Sequence, residues 1–378
     1  MPTASSGHVA TPRPDHPPGT TYARARLRLG ITSVGTLVVL STVLLVLDVA
    51  EIVLPESSSW AFGDVAWLAL LVGAYVAVSA PFDLLGGQVL PHRYGRPVAA
   101  NGFARVWARG VAAHGACLLA VAVVLLAAGR AGGDAGALAA SFVLMVILLA
   151  AQVPLARLVG AVRREGDRLR GSDPSFVGGI VGVPGFDRTM LSAAWTGKTA
   201  EVQSARREAV RRSGSRALGV VAAALFTFIG LAAVLLGTSA AANSVTGLAT
   251  LTLWMTLWSF LGLLVLPSLS RSAVIAADRL ALSGGIDPAE LTRVLGTLDA
   301  AQEDEPSRGR LVETVFHPVP ALERRVRAIA ADDGPDLPKP WNTARTALFL
   351  SWASLGLLSR AVHCNCGRPA LWVLFPGD

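Results

Sequence analysis

The chain has 378 residues, of which 52% are apolar and only 16% charged, against about 25% charged in a typical soluble domain. Its charges are gathered into short stretches between long uncharged ones, which excludes an ordinary globular enzyme and a disordered chain. The balance of 33 Lys and Arg against 26 Asp and Glu gives +7; topology explains this excess better than nucleic acid does, so membrane lipids are the expected general partner.

Residues 1–28 form a tail rich in Pro, Ser and Thr, without the apolar core of a signal peptide, and are expected to be a disordered cytoplasmic segment. A membrane-crossing helix takes about 20 predominantly apolar residues, because lipid offers no partner for unpaired backbone. The stretch 29–156 holds four such segments, at 29–47, 65–82, 110–129 with His114 inside, and 135–156. After the charged piece 157–216 comes 217–270, which carries no charge and is too long for one crossing. The small and polar residues at 237–247 divide it into spans five and six. A second charged piece, 271–342, precedes the last region, 343–378. There a seventh candidate, 346–359, has 14 uncharged residues between Arg345 and Arg360; it crosses only if both arginines snorkel, and otherwise lies in the interface. The fold class is therefore an all-α polytopic membrane protein of six or seven transmembrane helices, with a small, mainly helical juxtamembrane cytoplasmic domain.

Positive charge concentrates in alternate connections: Arg24, Arg26 and Arg28, then Arg93, Arg96, Arg105 and Arg109, then twelve Lys and Arg in 157–216. The others carry Glu51, Glu56 and Asp64, then Arg130 with Asp134, then nothing charged. Positive charge marks the cytoplasmic side, so the N-terminus is expected in the cytoplasm and the membrane is expected to be a bacterial plasma membrane.

The glycine run at 178–185 lacks the ending of a phosphate loop and the spacing of a dinucleotide fingerprint, and reads as a loop beside a short hairpin. A helix is predicted over 200–213, containing Arg207-Glu208-Ala209-Val210-Arg211 directly before a span. Ser270-Arg271 follows the next span, then Ala277-Asp278-Arg279-Leu280-Ala281, His317-Pro318 and Arg325-Val326. This order, over about residues 175–330, resembles the integral-membrane zinc peptidases that include the CAAX prenyl endopeptidases and the HtpX-type proteases. The resemblance implies that Arg207 and Arg211 stand where two zinc-binding histidines would be, Glu208 at the general base, and Val274 at the third ligand. Asp278, His317 and Arg325 match their family positions. Zinc needs lone-pair donors at about 2.0–2.2 Å; arginine offers only protons and valine nothing. No metal or cofactor is therefore expected, and Glu208 alone does not replace a metal-activated water.

Two readings of these residues compete. In one, Arg207, Glu208 and Arg211 belong to a solvated basic helix face, with Glu208 pairing to Arg212 at i,i+4. In the other, a guanidinium fills the vacated cation position and pairs with Asp278, and Arg207, Arg211 and Arg206 converge on a cleft for an anionic ligand or peptide end. His317 before Pro318 reads as structural. His114 could line a cavity or proton path, whereas Asp48 and Glu51 read as hydrated at an interface. His363, Cys364 and Cys366 offer soft-metal ligands, a pattern with frequent false positives. Trp254, Trp258, Trp341 and Trp352 fit interfacial anchoring or bundle packing. The leading expectation is a catalytically inactive pseudoprotease that binds a peptide or a membrane partner, or assists maturation or export. The rivals are an active membrane enzyme using the remodelled site and a transporter subunit.

Overall fold

A computed structural model describes residues 21–54, 62–96, 98–165, 168–173, 176–238, 240–302, 307–331, 337–362 and 364–374. Most of the predicted tail, Glu56 and His363 lie outside the described residues.

The first span, α1 (Tyr22–Val46), is capped at Thr21, whose hydroxyl accepts the Arg24 N–H at 3.2 Å. A single turn, α2 (Val49–Val53), leads towards α3 (Phe62–Leu84), which runs through one wide π-helical turn (Leu85–Val89) into α4 (Leu90–Arg93). The next helix, α5 (Ala100–Leu158), is two helices joined at Gly133, whose φ of 59° and ψ of −148° break the helical path. The halves run antiparallel: Arg109 donates to the Arg157 carbonyl at 3.0 Å near one end, and a Cβ on Gly136 would stand 2.3 Å from the Ala128 oxygen near the other. Beyond the juxtamembrane α6 (Gly197–Arg212) come α7 (Ser215–Gly237) and α8 (Val245–Ser283). Among the described residues five helices are long and apolar enough to cross a membrane; because α5 folds back, they supply six crossings.

The two ends of the bundle differ in character. At one, Arg130 pairs with Asp64 at 2.9 Å and Thr246 reaches the Leu54 carbonyl at 3.3 Å; Asp48 and Glu51 are exposed nearby in sequence, as expected. The other carries the arginine-rich connections and a domain built from both charged pieces. Its sheet comprises β1 (Val162–Glu165), β2 (Arg168–Gly171), β3 (Gly179–Val181) and β4 (Arg188–Ser192), in the order β1-β2-β4-β3. The β2–β4 pair is parallel and the others antiparallel. The glycine run thus forms β3 and a tight turn, in which Gly185 at φ +90° follows Pro184 and the Phe186 N–H reaches the Val183 carbonyl at 3.0 Å. That is the geometry of a type II turn, which favours proline and then glycine. The helices α9 (Pro288–Gln302), α10 (Arg310–Phe316) and α11 (Leu322–Ala330) complete the domain.

The seventh candidate does not cross. Its helix, α12 (Thr343–Leu350), has eight residues, about 12 Å against a hydrocarbon core of about 30 Å. The segment enters between α7 and α8, where Trp341 N–H meets the Ser215 carbonyl at 3.0 Å and Ala344 N–H meets the Ser270 hydroxyl at 3.0 Å. It turns at Leu355, in the left-handed region at φ 63°. It then returns through α13 (Ala370–Val373) to the end it came from, with the Val373 carbonyl accepting from Gln152 at 2.9 Å. Irregular backbone survives at membrane depth only where protein surrounds it, and the spans supply the partners: Ser141 donates to the Ala353 carbonyl and Tyr75 to the Leu357 carbonyl, each at 3.0 Å. Arg360 does not snorkel. It pairs with Asp83 and stacks on Trp372, 4.4 Å from the ring centre. Trp341, Trp352 and Trp372 are fully buried, so two of the four tryptophans singled out in the sequence, Trp341 and Trp352, pack inside the bundle.

Candidate functional site

Along α6, Val202, Gln203, Arg206, Arg207 and Val210 are buried, the spacing of one helical face. Val202 joins an apolar cluster with Leu291, Leu295 and Ile329; Val210 joins another with Ile180, Ala277 and Trp341. The arginines between them are carried into the interior by the valines on either side. The opposing face comes from α8, which continues past the membrane as an amphipathic stem burying Ala273, Val274, Ala277, Asp278 and Ala281.

Asp278 is the centre of the site. Arg206 Nε donates to its Oδ1 at 2.7 Å, Arg325 Nη2 to the same oxygen at 2.8 Å, and Arg325 Nε to Oδ2 at 2.8 Å. Arg206 also reaches the Val274 carbonyl at 3.5 Å. All three side chains are nearly sealed from solvent, at 0%, 2% and 6% exposure for Arg206, Asp278 and Arg325. Burial alone would raise the Asp278 carboxyl, but the two guanidinium groups and their hydrogen bonds outweigh it and hold the group below the ordinary carboxylate range. Burial pushes Arg206 down to about 10, opposed by Asp278, which leaves it a cation at neutral pH. Arg207, also fully buried, donates to the Gly178 carbonyl at 3.3 Å and lies 5.6 Å from the Trp341 ring centre. Burial first, then Arg206 and Arg325, moves it well below the usual arginine range.

The rest of the predicted constellation lies elsewhere. Glu208 and Arg211 do not converge on Asp278. Arg211 holds Glu208 through two hydrogen bonds at 2.8 and 2.7 Å, and Arg212 adds one at 2.7 Å. This corrects the converging reading for Arg211: one residue past a buried helix position lies about 100° round the axis, so Glu208 turns outward after Arg207 and Arg211 after Val210. The i,i+4 pairing of Glu208 with Arg212 is as the solvated reading expects. Hydrogen bonds from Arg211 first, then Arg212, hold the Glu208 carboxyl down at about 2. A general base working at neutral pH needs a pKa near that pH, and Glu208 is far from it.

His317 is buried, and its carbonyl accepts from Arg271 at 2.8 Å. The same Arg271 nitrogen also bonds the Glu313 and Thr314 carbonyls at 3.0 and 2.9 Å, closing the C-terminal end of α10, whose last carbonyls have no partner within the helix. His114 is buried against Trp352, with ring centres 4.3 Å apart, and against Tyr75 and Trp372. Cys364 bonds the Asn365 side chain at 3.2 Å and Cys366 the Ala361 carbonyl at 3.4 Å.

Among the described residues no group of three His, Cys, Asp or Glu side chains is placed to hold a metal ion. The donor chemistry at the site does not fit zinc: Val274 is hydrocarbon, Arg206 and Arg207 only donate, and the lone pairs of Asp278 are taken by two guanidinium groups. Arg206, rather than Arg207 or Arg211, is the α6 side chain that pairs with Asp278. The signal was the eight-residue spacing of Val202 and Val210, which puts position 206 on the apolar stripe and 208 and 211 beside it.

A separate cavity of about 380 Å³ opens beside the sheet, lined in part by Val153, Arg170, Thr189, Met190, Leu191 and Ser204. Its wall draws on β2 at Leu169 and Arg170, on β4 from Arg188 to Leu191, and on α5 and α6 at Val153 and Ser204. Compared with known proteins, the chain matches no family model and no curated protein.

Proposed function

We propose that this integral membrane protein works by binding a peptide segment or a membrane partner, on a layout akin to the membrane zinc peptidases but without hydrolysis. The observation that carries this reading is the buried Arg206–Asp278–Arg325 cluster. It joins α6, α8 and α11, the helices that carry residues the resemblance aligns with a metal site, and it offers neither coordinating lone pairs nor room for solvent. Glu208, which stands at the general base in that scheme, is turned outward and paired with Arg211 and Arg212.

The cavity beside the sheet is the favoured contact for such a partner. It combines apolar walls with Thr189, Ser204 and two arginines, Arg170 and Arg188, at the junction of the domain and the fourth span. The concentration of arginine at this end of the bundle supports a cytoplasmic placement of the domain and of the N-terminus.

The test uses the purified full chain. Incubated with a peptide library and an unfolded membrane-protein substrate, with added zinc or with a chelator, it is expected to cut neither. A photo-crosslinking residue at Ser204 is expected to trap a discrete partner, competed away by excess of the same partner unlabelled. Cleavage that a chelator abolishes would overturn the reading.

A further inference from the structure

We propose that the β3–β4 turn and helix α10 are membrane-dipping elements, which lay the juxtamembrane domain down on the same bilayer that the spans cross. Both carry large apolar side chains into the open: Phe186 at the turn is 88% exposed, and Leu311 on α10 is 77% exposed with Val312 and Phe316 beside it at 39% and 38%. In a soluble domain such groups would face water at a cost of about 25 cal/mol per Å² of apolar surface.

What covers them follows from the level at which each element is fastened. The Gly182 N–H, at the start of the turn, donates to Gln152 Oε1 at 3.1 Å. Gln152 lies six residues inside the end of α5 at Leu158, about 9 Å along the helix, and within the uncharged stretch of span four. The turn is therefore pinned to a residue below the membrane boundary. Helix α10 is pinned independently by Arg271, the first charged residue after the uncharged 217–270, through the carbonyls of Glu313, Thr314 and His317. Leu269, two residues before that clamp, is still exposed as a lipid-facing residue of span six. The apolar patch of α10 thus sits at the level where the lipid-facing surface of α8 ends.

The flanking charge agrees. Arg310 is exposed beside Leu311 and Arg188 two residues from Phe186, while Asp187 between them is half-buried and faces Arg216 and Arg211; this leaves cations to meet anionic headgroups where an interfacial element sinks its apolar side into the headgroup and acyl boundary. The hydrogen-bonded Val183–Phe186 turn places Phe186 at its tip. The occupant is the bilayer itself, rich in anionic lipid.

The full chain is reconstituted into vesicles of phosphatidylcholine and phosphatidylglycerol, and a nitroxide label is attached to Phe186→Cys and, separately, to Leu311→Cys. Glu201→Cys, on the exposed face of α6, is the aqueous reference. The unsubstituted chain, whose Cys364 and Cys366 are buried and Cys117 half-buried, is the blank. Labels at 186 and 311 are expected to show a ratio of oxygen to nickel-chelate collision several-fold above that at 201. Ratios equal to the reference at both sites would overturn the proposal and leave the patches open to a soluble partner. A photoactivatable lipid probe on the unsubstituted chain gives a check free of substitutions: adducts mapped to Phe186 and Leu311 support it, and adducts confined to the spans refute it.

Discussion

Arg325 reaches Asp278 across 47 positions of sequence and grips both of its oxygens at 2.8 Å. This pair ties α11 to α8, and Arg206 on the far side of the carboxylate ties α6 to both. Removal of the carboxylate alone strands two buried cations. The Asp278→Ala variant is expected to lose about 3–5 kcal/mol of stability, the usual cost of breaking a buried pair on one side, read by denaturant unfolding of the detergent-solubilised chain. Glu208→Ala, which breaks only surface pairs, is expected to stay within about 1 kcal/mol of the parent.

The same cluster sets an acid limit. The carboxyl of Asp278 titrates lower in the folded chain than in the unfolded one, so its contribution is complete above the unfolded value of about 3.9 and is lost as pH falls through the lower folded value. The stabilisation that ionised Asp278 gives the juxtamembrane domain is expected to stay constant from neutral pH down to about pH 4, and to be lost progressively below that. Melting temperatures of the parent and of Asp278→Asn, measured across acidic pH, check this: the gap between them should close only under strong acid.

Inside the bundle, Asp83 accepts from Arg360, from Trp107 Nε1 at 3.0 Å and from the Gly367 N–H at 2.8 Å. These bonds latch the returning segment. Arg360→Met is expected to cost about 3–5 kcal/mol by leaving Asp83 uncompensated, whereas Asp83→Leu combined with Arg360→Met should cost less than either change alone. Maleimide labelling of Cys364 and Cys366, both buried, gives an independent reading: fast in the single variant, slow in the parent and the double variant.

Close packing makes a further demand at Gly219, where a Cβ would stand 1.9 Å from the Trp341 carbonyl oxygen. Gly219→Ala must push the entry of the segment away from α7. An overpacking cost of about 1–3 kcal/mol is expected, with a lowered melting temperature as the measurement.

A metal test bears on the proposed likeness to zinc peptidases. The combined variant Arg207→His, Arg211→His and Val274→Glu installs the ligands that the resemblance implies, yet the side chain at 211 is held by Glu208 rather than turned to α8. Zinc analysis of the purified variant is therefore expected to match the parent. Stoichiometric tight zinc would show that α6 can rotate to bring both histidines together.

The spans, the turn at 237–247 and the break between spans three and four were all readable as runs of apolar residues ended by glycine or charge, because lipid selects on composition over about 20 residues. Helix α6 and the extended backbone of His317 before Pro318 were readable too, from local propensity and from the restriction that proline places on the residue before it. The buried partner of Asp278 was not. The valine spacing sets Arg211 aside, but Arg206 and Arg207 are both buried on α6 with the same chemistry, and only the angle at which α6 meets α8 distinguishes the one that pairs.

Local composition by itself determined that this chain enters a membrane, how many crossings its long apolar runs supply, and that the residues aligned with a metal site lack lone pairs. Tertiary structure alone decided that residues 341–374 fold back into the bundle rather than cross it, that Arg360 finds Asp83, and that Glu208 faces outward. The physical reason is range. Insertion into lipid depends on the sum over one short segment, whereas the pairing of a buried charge depends on which distant groups the packing brings within about 3 Å.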